Sequence, residues 1–127
     1  MEKMKNKSER AKLIDKIHAE MRKFRLKQEP QCVTCGGSHG DKVLQLGHLI
    51  TRGANSVRFD WRNLHITCRV CNNIHEYRPE IYTLWFIKNY GQEEYEALVQ
   101  DSKKIKQWKM RELREKLAEM KQLNKGD

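Results

Sequence analysis

From Ser8 to Gln28 the chain contains no Gly or Pro, and Ile14, Ile17, Met21 and Phe24 recur at spacings of 3, 4 and 3. This predicts one apolar stripe on a charged helix, ended at Glu29-Pro30 because the residue before a proline is driven out of the helical region. The period then changes. Val43-Leu-Gln-Leu-Gly-His-Leu-Ile50 and Leu64-His-Ile-Thr67 predict two strands, with Thr51 to Arg62 a long loop between them. A loop of that length is more often functional than filler. A short polar helix is expected over Asn72 to Glu76. Pro79 suits the first turn of a further helix from Glu80 to Tyr90, and Gly91 its end. Trp85, Phe86 and Tyr90 fall at helical spacing and are expected in the core. The last helix, capped by Asp101 or Ser102, carries Met110, Leu113, Leu117 and Met120, again at 3, 4 and 3. The two terminal stripes are expected to pack on the centre or on each other. A coiled-coil seam between two copies is the alternative, although each stripe is shorter than the three or four heptads that would define one.

Charge divides the chain in the same places. The net +9 on 127 residues is carried by the ends. Residues 1–30 hold 10 basic and 5 acidic groups and 101–127 hold 9 and 5, whereas 31–100 hold 7 of each. Within the centre, 31–71 is net +3 and 72–100 net −3. The expected organisation is a basic helical arm over 1–30, a core over 31–100 and a basic helix over 101–127. Charged residues make up 34% of the chain, against roughly 25% in an ordinary domain, so little apolar surface is left to build a core. No apolar stretch approaches the ~20 residues of a membrane span, and the N-terminus lacks the apolar segment of a signal peptide. A cytoplasmic location is expected, and with it reduced cysteines.

Cys32-Val-Thr-Cys35 and Cys68-Arg-Val-Cys71 are two Cys-x-x-Cys pairs, 32 residues apart. Together they supply the four soft ligands of a closed tetrahedral Zn²⁺ site, with Gly36-Gly37 turning the chain after the first pair. Two unrelated redox pairs or four buried thiols are the alternatives. With all positions taken by sulfur, such a zinc is structural, a staple for a small core. The gap exceeds the ~15–20 residues of a plain ribbon, so something is inserted between the pairs.

The insert contains Gly47-His48. Asn63 follows 15 residues after His48, Asn72 a further 9, and Glu76 a further 4. On a helix Asn72 and Glu76 share a face. The series Cys32-x-x-Cys35-Gly36, Gly47-His48-Leu49-Ile50-x-Arg52-Gly53, Arg58-Phe59-Asp60, Asn63-x-His65, Cys68-x-x-Cys71-Asn72, Tyr82 and Tyr90-Gly91 resembles the HNH, or ββα-metal, endonucleases. It is most similar to the NinG/Rap-like recombination endonucleases of bacteriophages, over residues 31–95. The resemblance implies an α+β fold, a zinc-stapled ββα-metal core flanked by long basic helices. It implies His48 as the general base that activates water against a DNA phosphate, Asn63 as the residue that holds the loop and orients the histidine, and Asn72 as a ligand of a catalytic Mg²⁺ or Mn²⁺. It further implies 5′-phosphate and 3′-hydroxyl products, branched recombination intermediates such as D-loops or Holliday junctions as substrate, and action in the bacterial host cytoplasm. Most HNH enzymes carry Asp or His directly before the base. Here that position is Gly47, and Glu76 is the expected replacement carboxylate, ahead of Asp60 and Gln45.

Arg52, Arg58, Arg62 and Arg69 lie in the segment that holds these residues, with Arg52 the expected clamp on the scissile backbone. Lys103, Lys104, Lys106, Lys109 and Arg111 cluster around Trp108, and Lys12, Lys16, Arg22, Lys23, Arg25 and Lys27 run along the first helix. Such arms would contact phosphates without reading bases; ordinary solvated faces are the alternative. His65 is expected to be structural and His75 exposed, while His18 and His39 carry no argument. The competing functions are a nicking or homing-type nuclease on linear duplex, and a non-catalytic zinc-ribbon DNA-binding protein. A symmetric junction would suit a homodimer.

Overall fold

The computed structural model describes residues 7–37, 43–51 and 53–126. The elements run α1 (Glu9–Gln28), β1 (Leu44–His48), two 3₁₀ turns (Asn55–Val57 and Trp61–Asn63), β2 (Leu64–Cys68), α2 (Arg69–Tyr77), α3 (Pro79–Tyr90), α4 (Gln92–Ser102) and α5 (Met110–Lys125). Strands β1 and β2 form an antiparallel pair in which Leu44 faces Cys68 and His48 faces Leu64. The fold is thus a small two-stranded sheet among helices. No helix of the described residues is long and apolar enough to cross a membrane.

The terminal stripes pair within the chain. Ile17 and Met21 of α1 meet Leu113 and Met120 of α5 in one core, which Phe59 and Leu64 close from the centre. Burying each such side chain contributes roughly 1.5–3 kcal/mol, so α1 and α5 hold the sheet as well as each other. They run in the same direction: Arg114 pairs with Glu9 at 3.3 Å, and one helical stretch later Asn124 donates to the Glu20 carbonyl at 2.9 Å. Some of the basic residues of α1 are committed to this packing. Arg25 donates to the Leu64 carbonyl at 2.9 Å and stacks over the Trp61 ring at 4.9 Å, and Arg22 donates to the Leu44 carbonyl at 2.9 Å.

The C-terminal third differs from expectation. Gln92–Ser102 forms a helix of its own, and the last helix begins at Met110, not at Asp101 or Ser102. Gly91, with φ of 100°, makes the corner between α3 and α4. This is a backbone region that side chains disfavour. At α5 the Glu112 carboxylate accepts from the Lys109 backbone N–H at 2.8 Å, satisfying a free donor at the helix start. Helix α4 props the long loop: Leu98 packs with Val57 and Phe86, and the Ser56 hydroxyl donates to the Asp101 carbonyl at 2.6 Å. Tyr90 lies at the edge of this core, half-exposed, where burial was expected.

Candidate active site and metal centre

The cysteine pairs converge. The four sulfurs lie within 4.8 Å of one another, Cys32, Cys68 and Cys71 buried and Cys35 partly so. Local backbone builds each half. Gly36 and Gly37 take positive φ, letting the Gly37 N–H reach Cys35 Sγ at 3.3 Å, while Cys68 caps α2 and accepts from the Cys71 N–H at 3.4 Å. The first pair is tied to the sheet by the Val33 N–H, which donates to the Ile66 carbonyl at 2.9 Å. Burial and neighbouring sulfurs push the Cys71 thiol well up, and burial raises Cys68 too. A divalent cation among four sulfurs reverses that preference and stabilises the thiolates. The donor set and its compactness could hold a tetrahedral zinc ion.

Beside this centre, β1 and α2 border a groove of about 520 Å³. Gln45 and His48 reach it from β1, and Asn72, His75 and Glu76 from α2. His18 of α1 also lines it, its ring set edge-on to His48 with centroids 4.9 Å apart. The Asn72 side chain donates to Gln45 Oε1 at 2.9 Å, which leaves its own oxygen directed toward Gly47. Glu76 is exposed at the rim. Among the described residues the cysteines are the one tight group of three or more His, Cys, Asp or Glu side chains; the groove does not form a second.

Asn63 stands behind the groove, fully buried. Its Oδ1 accepts from the Ile50 N–H at 2.6 Å, and its Nδ2 donates to the carbonyls of Ile50 at 3.1 Å and Val57 at 3.3 Å. Its backbone carbonyl accepts from the Leu49 N–H at 2.9 Å. One side chain therefore fixes the path of the chain leaving His48.

Other expected residues stand elsewhere. Asp60 is not a groove residue: it caps the second 3₁₀ turn and holds Arg62, which also reaches Asp101 at 2.8 Å. Hydrogen bonds that Arg62 donates to Asp60, and then to Asp101, raise its guanidinium above its ordinary pKa. Arg58 turns back on Asn55 Oδ1 at 2.8 Å. Lys104 pairs with Asp101 at 3.0 Å, Lys109 is exposed, and Trp108 packs edge-on against Phe59. Arg52 and His39 fall outside the described residues. His65 is buried on β2, where its Nδ1 lies 2.7 Å from the Glu29 carboxylate.

The structure corrects the expectation for one histidine and gives a second a place that the sequence leaves open. His75, expected to be exposed, is buried and stacks on Tyr82 at 4.8 Å, and burial lowers its pKa. His18, given no role, is in the groove. Both had a signal. His18 lies four residues after Ile14 and one after Ile17, on the edge of the apolar stripe, and His75 lies four after the inward-facing Cys71.

A four-cysteine cluster that could hold zinc, built onto a two-stranded antiparallel sheet and the helix that follows it, makes the chain a small mixed helix-and-sheet protein. Within that class the chain belongs to the NinG family: the family model for the bacteriophage lambda NinG protein matches residues 1–126. That membership points to a phage recombination-related function. No curated protein and no solved structure matches the chain.

Proposed function

We propose that the chain is a metal-dependent DNA endonuclease with a structural zinc held by Cys32, Cys35, Cys68 and Cys71. The observation that carries this reading is that His48 of β1 and Asn72 and Glu76 of α2 line one groove, next to the cysteine centre. The order strand, loop, strand, helix, and the tie of Asn63 to the loop after His48, support it. In this reading His48 takes the proton from the attacking water; imidazole suits the task because its ordinary pKa is near neutral. Asn63 acts as a positioning residue by fixing residues 49 and 50. The Asn72 carboxamide and Glu76 carboxylate are hard oxygen donors and fit Mg²⁺ or Mn²⁺. When bound, such an ion supplies positive charge for the phosphate and the departing 3′ oxygen.

Arg58, Lys104 and Lys109, with Arg52, are proposed to contact DNA phosphates around the cut. Family membership favours branched recombination intermediates as substrate. The test is cleavage of a four-way junction and a matched linear duplex by the zinc-loaded protein in Mg²⁺, Mn²⁺ or EDTA. Metal-dependent cutting with preference for the junction is expected. Preference for the duplex would remove the branched substrate, and no cutting of either would remove the enzyme.

A further inference from the structure

Among the described residues, His75 has no partner that explains its nitrogen atoms: Nδ1 and Nε2 are both buried and neither meets a hydrogen-bond partner there. Roughly nine in ten buried polar groups are satisfied, and the cost of leaving one bare is that of its lost hydration. The stack on Tyr82 does not account for an imidazole here, since a phenyl ring would serve the contact equally well. The residue nevertheless lines the same groove as Asn72, three positions earlier on the helix, and Glu76.

The geometry of β1 shows why α2 has to provide donors. A Cβ at position 47 would lie 2.7 Å from Thr67 Oγ1 and 3.1 Å from Asn72 Oδ1, so a side chain beside His48 would have to displace Thr67. Gln45 and His48 are therefore the polar side chains that strand β1 brings to the groove, and Gln45 is engaged with Asn72. The remaining ligand atoms come from the face of α2 that carries residues 72, 75 and 76.

We infer that His75 is a nitrogen ligand of the divalent ion held in the groove, completing a set with Asn72 and Glu76. The inference rests on the nuclease reading above. It carries a consequence for metal choice. A mixed nitrogen and oxygen set favours Mn²⁺ and its transition-metal neighbours over Mg²⁺, which prefers oxygen alone.

The test uses the zinc-loaded full chain titrated with Mn²⁺ and read by electron spin echo modulation, which detects a directly bound imidazole nitrogen. His75→Phe keeps the stack on Tyr82 and removes the nitrogens; His75→Gln serves if the phenylalanine variant does not fold, with zinc content and circular dichroism as the check. The expected result is imidazole modulation in the wild type that vanishes in the variant, with Mn²⁺ affinity weakened about tenfold or more. Modulation that persists in the variant, or bound Mn²⁺ without any imidazole modulation in the wild type, overturns the role of His75 alone. Failure of the wild type to bind Mn²⁺ beyond the zinc centre overturns the nuclease reading as well.

Discussion

The carboxamide of Asn63 bonds both backbone polar groups of Ile50, accepting from its N–H at 2.6 Å and donating to its carbonyl at 3.1 Å. This pair ties the end of the second 3₁₀ turn to the chain that leaves His48, 13 residues apart in sequence. Asn63→Ala strands buried backbone groups and is expected to cost about 3 kcal/mol in urea unfolding of the zinc-loaded protein. A loss under about 1 kcal/mol would mean that the loop holds itself.

Gly47 is required by contact and not by backbone conformation. Gly47→Ala places a methyl group against Thr67 and is expected to cost about 1–3 kcal/mol. Thr67→Ala removes both Thr67 atoms that the methyl would meet, so the double variant should recover part of that loss. Strictly additive losses in the double-mutant cycle would show that the two positions do not touch.

The cysteine centre joins the turn at Cys32–Cys35 to the start of α2, through sulfurs within 4.8 Å of one another. Where an ion binds only the folded chain, its binding energy is folding energy. Cys68→Ser, or chelation of the wild type, is expected to abolish the cooperative thermal transition. A variant that holds no zinc yet melts normally would refute the structural role.

Glu29 provides the pH test. Burial opposes its ionisation, but hydrogen bonds from His65 and the Ile66 N–H, with Arg25 nearby, outweigh it and hold the carboxyl below its ordinary 4.5. The unfolded chain therefore takes up this proton first, so the stabilisation is complete above pH 4.5 and fades as pH falls toward the folded value. The stability gap between wild type and Glu29→Gln, measured by urea unfolding, should narrow as the pH falls from about 5 to about 3. A gap that stays constant or widens over that range would contradict the role of Glu29.

What could be read from the chain was local. The Cys-x-x-Cys pairs, the two strands, and α3 between Pro79 and Gly91 announce themselves within a few residues. Helix α4 did not, because Leu98 is its one fully buried side chain and the corner at Gly91 reads as a stop, not as a joint. The inward turn of His75 depends on Tyr82 of α3, and the approach of His18 to His48 depends on the packing of α1 with α5. Burial set by distant elements leaves only a faint trace in sequence, here the spacing of each histidine from an apolar or cysteine neighbour. The charge tells the same story: Arg22, Arg25 and Arg62 look like DNA contacts in a list of basic residues, and in the fold they hold carbonyls, an indole and carboxylates.

The central claim is that His48 is the base of a hydrolytic site. It is tested most directly by single-turnover cleavage of a four-way junction by wild type and His48→Ala, both zinc-loaded and binding the junction equally. The account predicts cleavage by the wild type with Mn²⁺ and a rate at least ~100-fold lower in the variant, the usual loss when a general base is removed. Equal rates in the two proteins would contradict it.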